Sequence, residues 1–384
     1  MTDRPENTLS RRTLAARALE SSAARELPAL TPPIHVSTTF IRDSDNGYSS
    51  GHVYGRMDNV SIKDAEARLA ELEHACDAML FTSGTAAATT LIMALPPTHL
   101  VVPKVMYWGL RSWLQNVRSY GHSITCVDMS DTQAVKAAIV PGKTGLVWVE
   151  TPSNPLWTIT DIAAVSECAH KVGALVCADS TVATPVLSQP LDLGVDIVMH
   201  SATKYLNGHS DVVAGVLATS RASELWSRIR NVRNQHGAML GPFDAWLLSR
   251  GLRTLDVRVR EQSKGALILA QRLGGHPAIS ELLYPGLSTH AGHEIAARQM
   301  IGGFGGMLSM RIKAGLAGAI GVAAQVRLWR RATSFGGIES LIEHHASLEG
   351  EGSPCPDDLL RLSVGLEDPE DLYADLAQAL GLLV

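Results

Sequence analysis

The chain has 384 residues, 46% of them hydrophobic and 18% charged, so it can bury a large core and exceeds most single compact domains. Its formal net charge of -5 argues against a broad nucleic-acid-binding surface, although a local pocket can oppose the global sign and take an anion. No window approaches the roughly 20 uninterrupted apolar residues of a membrane span. Residues 1–22 are polar and lack the apolar stretch of a secretory signal. Cys76, Cys126, Cys168, Cys177 and Cys355 are scattered and never form a CxxC pair. They read as reduced, mostly buried thiols of a cytoplasmic protein, not as a disulfide framework or a zinc site.

Residues 1–55 carry little periodic pattern and are rich in Ser, Thr, Pro and Asp, which predicts an extended arm lying on a neighbouring subunit. A helix pattern begins near Ile62, with Ala65, Leu69 and Leu72 on one face. Over residues 56–248 apolar runs then alternate with helical stretches. Strands are predicted at 79–81, 100–102, 124–127, 146–149, 174–178, 197–199 and 212–217, and helices at 86–95 and 162–172. That alternation implies an α/β layer with a mostly parallel central sheet. Residues 249–384 change character: one long amphipathic helix over 243–273 contains the junction, near 249–253. A Gly-rich stretch at 302–306 and a strand at 307–312 follow, giving a smaller C-terminal α+β domain.

Ligands of such sheets bind beyond the carboxyl ends of the strands. This rule selects Ser83, Gly84 and Thr85, then Asn154, Asp179 and the stretch Ser201-Ala202-Thr203-Lys204, each following an apolar run. Hydroxyls at Ser201 and Thr203 can donate to phosphate oxygens while the Lys204 amine condenses with a carbonyl, which suits a phosphorylated aldehyde. By spacing alone, a surface lysine beside a Ser/Thr-rich loop fits as well. Ser83-Gly84-Thr85 opens a helix after a strand, where backbone N–H groups and the helix dipole attract an anion, but ordinary Ser-Gly turns share that pattern. Asp179 ends a strand and can pair with a protonated pyridine nitrogen, or serve as a helix cap. His290, His293, His344 and His345 lack a metal-ligand motif and read as loop and surface residues, so no metal site is expected.

Together these segments resemble the Cys/Met-metabolism family of pyridoxal 5′-phosphate (PLP) enzymes, which includes cystathionine synthases and lyases and methionine γ-lyase. The carriers are Tyr54-Gly55-Arg56, Ser83-Gly84, Glu150-Thr151-Pro152-Ser153-Asn154-Pro155 and Ser201-Ala202-Thr203-Lys204-Tyr205. Three more follow in the second half: Ser249-Arg250-Gly251-Leu252-Arg253, Ser334-Phe335-Gly336-Gly337-Ile338-Glu339 and Leu360-Arg361-Leu362-Ser363-Val364-Gly365. The resemblance implies the PLP-dependent transferase fold of type I. It assigns Lys204 as the Schiff-base lysine and proton shuttle, Asp179 as partner of the pyridinium nitrogen, and Asn154 as neighbour of the phenolic oxygen. Ser83, Gly84, Thr85, Ser201 and Thr203 would hold the phosphate, and Tyr107 would stack on the ring and assist proton transfer. Arg361 would clamp the α-carboxylate of an amino-acid substrate with help from Ser334, and Thr333 and Asn154 would also face that substrate. Tyr54 and Arg56 would reach the phosphate of a neighbouring subunit's cofactor, as in a homotetramer built from dimers that share active sites.

The chain departs from relatives at Thr85, where many carry Met, and at Trp108-Gly109-Leu110, where Gly-Gly-Thr or Gly-Cys-Thr is usual. The missing cysteine weakens a methionine γ-lyase reading. Thr333 stands where several γ-acting enzymes carry Glu and a β-lyase type carries Tyr. The expected chemistry is elimination or replacement at the γ-carbon of an amino acid, with acylated homoserines or canavanine among the possible substrates. Cystathionine β-elimination is the alternative. A non-catalytic PLP-binding regulator would lose Arg361 or Tyr107, and both are present. A Rossmann-type nucleotide binder would need a Gly-x-Gly-x-x-Gly turn that Ser83-Gly84-Thr85 does not supply.

Overall fold

The structure, a computed structural model, describes residues 9–18, 30–350 and 352–383. The larger of its two sheets has seven strands: β1 (Asp77–Phe81), β2 (His99–Pro103), β3 (Ser123–Val127), β4 (Thr144–Glu150), β5 (Leu175–Asp179), β6 (Ile197–His200) and β7 (Gly215–Thr219). Their spatial order is β1-β7-β6-β5-β4-β2-β3. Every neighbouring pair is parallel except those of β7, which runs antiparallel to β1 and β6. Helices cover both faces, so the central strands are continuous apolar runs and not alternating ones. β7 is buried along its whole length.

The predicted strand at 212–217 starts late. Ala214 directs its N–H to Thr203 Oγ1 (3.0 Å) and its carbonyl to Thr203 N–H (3.2 Å), so it pins the loop after β6 in place of extending β7. The long helix expected over 243–273 is two helices, Pro242–Leu252 and Leu255–Leu273. The break is a packing constraint. A Cβ on Gly251 would lie 2.3 Å from the Asn207 carbonyl oxygen. The Gly251 carbonyl then accepts from Arg258 Nη2 (2.9 Å), while Arg258 Nη1 donates to the Tyr205 carbonyl (2.8 Å) and Nε to Thr254 Oγ1 (2.9 Å). One buried guanidinium thus ties the interhelical turn to the residue after Lys204.

The second sheet comprises β8 (Ile279–Leu283), β9 (Met307–Ile312), β10 (Arg330–Arg331), β11 (Leu341–His344) and β12 (Leu359–Ser363), in the order β10-β11-β12-β9-β8. It is antiparallel apart from the β10–β11 pair. Its core places Leu308 and Leu362 against Leu269 and Leu376, all fully buried. In the segment expected to be an extended arm, Arg11–Ala16 is helical and sets Ala15 and Ala18 into the main core. Further along it Val36 and Ile41 are exposed. All five cysteines are free thiols; contrary to the expected burial, Cys76 and Cys126 are exposed, Cys76 just before β1 and Cys126 on the edge strand β3.

Arg258→Met leaves the Tyr205 and Gly251 carbonyls buried without their donor. The expected cost is about 2–3 kcal/mol, read as a lower urea midpoint of the holoenzyme.

Candidate active site

Because β1, β2, β4, β5 and β6 run in one direction, their carboxyl ends meet at one edge of the sheet. A cleft of about 190 Å³ opens there. Ser83, Gly84 and Thr85 after β1, Tyr107 after β2, Asn154 after β4, Asp179 at the end of β5, and Ser201, Thr203 and Lys204 after β6 all line it. Nine of the residues selected from the sequence are thereby brought together by topology alone.

At the floor, Ser83 caps the helix Gly84–Ala94, its hydroxyl accepting from Ala86 N–H (3.0 Å). The remaining N–H groups of that first turn have no intrahelical acceptor. The loop after β6 presses so closely on this turn that a Cβ on Gly84 would sit 2.9 Å from Ser201 Cβ. Only glycine admits this approach.

Asp179 is buried, and its Oδ1 accepts from Thr181 N–H (3.0 Å) and from the Thr181 hydroxyl. Burial pushes its pKa up, opposed by Thr181 and by His200 beneath it. His200 is itself paired with Glu73 (2.6 Å), both fully buried. The strand register sets Glu150 directly beside Asp179. Burial, and then Asp179, push Glu150 up to about 8. Glu150 Oε2 accepts the Tyr107 N–H and Oε1 the Asn154 N–H, each at 2.8 Å. One buried carboxyl group therefore positions two residues of the cleft. Reading the sequence for function missed Glu150, although a charge closing a buried strand at this edge was its visible signal.

Lys204 Nζ donates to Ser334 Oγ (2.7 Å) and lies 5.1 Å from the Phe335 ring centre. Burial, then the Arg361 charge, push the Lys204 amine down to about 8, with Glu343 opposing. Ser334 comes from the second half of the chain and has φ +88°, a left-handed conformation that costs a non-glycine residue about 1–3 kcal/mol. Arg361 on β12 is buried; its Nη1 donates to Asn154 Oδ1 and its Nη2 to the Ser334 carbonyl, both at 3.0 Å. Nη2 is also ion-paired with Glu343, its cross-strand neighbour. Thr333 lies outside the cleft wall, with its side chain on Glu343. Tyr54 and Arg56 also lie away from the cleft: Arg56 stacks on Tyr54 and donates to the Asn234 carbonyl (2.8 Å). Among the described residues, no group of three or more His, Cys, Asp or Glu side chains is arranged to hold a metal ion. His345, expected at the surface, is buried between two glutamates.

The model of the family described as Cys/Met metabolism PLP-dependent enzyme matches residues 12–381. The chain belongs to this family. It is 46% identical over 361 residues to cystathionine γ-synthase of Mycobacterium tuberculosis, covering 92% of each chain. It is 41% identical over 369 residues to cystathionine γ-lyase of Dictyostelium discoideum, covering 94% of this chain and 95% of the relative. The crystal structure of metB from Corynebacterium glutamicum superposes with a TM-score of 0.94 at 40% identity, over 98% of this chain and 99% of that one.

This PLP-dependent enzyme has residues that fit its cofactor. The Gly84 turn, which has no room for a side chain, suits a phosphate; buried Asp179 suits a ring nitrogen carrying a proton; Lys204 suits the aldehyde. Lys204→Ala is expected to abolish the borohydride-reducible visible absorbance, with retained absorbance overturning the anchor. The attacking form is the neutral amine, so loading of the apoenzyme with PLP should speed up as pH rises through about 8. An unperturbed lysine would place that rise near 10.5, and stopped-flow absorbance at several pH values separates the two.

Proposed function

We propose that this enzyme eliminates or replaces the substituent on the γ-carbon of an amino acid. The observation carrying this reading is that the Lys204 amine and the Arg361 guanidinium meet on one residue, Ser334. An α-carboxylate held by Arg361 brings Cα to Lys204. Bound PLP supplies an electron sink conjugated with Cα. Lys204 Nζ, neutral in part near pH 8, would take the Cα proton, hand it on to the electron sink, and so be free to take one from Cβ; Lys204 or Tyr107 would protonate the leaving group. In replacement, a thiol adds at Cγ while protons return to Cβ and Cα. In elimination, water releases ammonium and a 2-oxo acid. Similarity to a cystathionine γ-synthase supports replacement.

The division into an arm (1–55), a large domain (56–248) and a small domain (249–384) belongs to the same reading. So does a homotetramer of dimers that share active sites, supported by Tyr54 and Arg56 lying outside their own cleft and by the exposed Val36 and Ile41. Among the described residues no helix is long and apolar enough to cross a membrane. That and the free thiols support a cytoplasmic location.

A panel of O-succinylhomoserine with cysteine, cystathionine and canavanine, scored for thioether, thiol and 2-oxo acid, tests the reaction. Thioether from the first mixture, or 2-oxobutanoate with cysteine from cystathionine, is expected. Pyruvate with homocysteine from cystathionine would establish β-elimination in its place.

A further inference from the structure

His345 was singled out in the sequence and finds no use in the chemistry above. Its ring is 1% exposed. Nδ1 lies 2.9 Å from Glu343 Oε2, and Nε2 lies 3.0 Å from Glu349 Oε1, close but out of hydrogen-bond alignment. Glu343 Oε2 is the same oxygen that pairs with Arg361 Nη2. Glu349 Oε2 in turn meets Arg111 Nη2 and the Ser353 hydroxyl, each at 2.7 Å. Arg111 lies on the helix Trp108–Leu114 and donates its N–H to the Tyr107 carbonyl (3.1 Å). Arg361, Glu343, His345, Glu349 and Arg111 therefore form one ionic chain, largely out of water, running from the second sheet to the helix that follows Tyr107.

Burial pushes Glu343 and Glu349 up, but contact with His345 and the guanidinium charges outweigh it and hold both below the usual carboxylate range. Both are anions. An undivided Glu343 charge on Arg361 would neutralise the guanidinium that must attract a substrate carboxylate. Sharing its Oε2 with the His345 N–H draws part of that charge away. The imidazole, stacked against neither solvent nor cleft, can act on substrate only through Glu343 and Arg361.

We propose that His345 is a positioning residue for substrate binding: its Nδ1–H divides the Glu343 charge and so keeps Arg361 able to grip an α-carboxylate. This rests on the reading of Arg361 as the carboxylate clamp. The step is non-covalent and consumes nothing.

The test uses the holoenzyme and two probes, L-alanine and ethylamine, which share an amine and differ by a carboxylate. Neither has a leaving group, so each is read as a dissociation constant from the change in visible absorbance. His345→Leu and His345→Ala each remove the donor to Glu343. Both are expected to weaken L-alanine about tenfold and to leave ethylamine within about twofold. In the double variant Glu343→Gln/His345→Leu, measured against Glu343→Gln alone, the alanine effect should fall below about threefold, because the charge to be divided is gone. Equal weakening of both probes, or loss of cofactor in both His345 variants, would mark a purely structural residue and overturn the proposal. Arg361→Lys separates the two layers. If it leaves L-alanine binding unchanged, the clamp itself fails; if it weakens L-alanine while the His345 variants do not, only the role of His345 fails.

Discussion

The site depends on keeping one amine out of water. An amine that must attack a carbonyl and later carry protons has to be neutral for part of the time, and a lysine on the surface is not. Lys204 is made so by enclosure: β6 delivers it to the edge of the large sheet, and Ser334, Phe335 and Arg361 close over it from the second half of the chain. Neither sheet alone provides this environment. The strained backbone at Ser334 is consistent with that demand, since the residue must present its hydroxyl to Lys204 and its carbonyl to Arg361 simultaneously.

Strand register then decides how charge is distributed around the amine. In the large sheet, parallel pairing of β4 with β5 places Glu150 beside Asp179. Two like groups in a buried setting cannot both ionise cheaply: Glu150 rises to about 8, and burial raises Asp179 as well, against the pull of Thr181 and His200. In the small sheet, antiparallel pairing of β11 with β12 places Glu343 opposite Arg361. There the charges are unlike and both persist. The large sheet therefore sets two carboxyl groups side by side that burial pushes toward the neutral form, and the small sheet sets a guanidinium against an anion.

Most of the large sheet was legible because its strands, the edge strand β3 apart, are buried on both faces and read as unbroken apolar runs; the observed strands β1 to β6 match those runs to within one or two residues at each end. Val212 and Val213 misled for the same reason, being apolar residues in a loop held by Thr203 and Ala214. The interhelical break near Gly251 is a tertiary constraint from Asn207 and Arg258, and amphipathic periodicity passes through it. β10 and β11, two and four residues long, are too short for any periodicity. Within the site, residues immediately after apolar runs were readable because topology gathers strand ends. Glu343 and His345 were not, since their roles come from register and from contacts between elements, and neither is written in local spacing.

Arg361, the residue proposed to hold the substrate carboxylate, meets more partners than another cation could. A guanidinium has five N–H donors. Among the described contacts, Nη1 directs one to Asn154, and Nη2 directs its two to the Ser334 carbonyl and Glu343. One donor on Nη1 and the Nε–H remain. The protein therefore holds the group rigid through three contacts with two donors to spare. A lysine has three donors on one atom; satisfying the same three partners would leave none. The fixed planar group is thus what allows one residue to be anchored in the small sheet and tied to Asn154 of the large one at the same time.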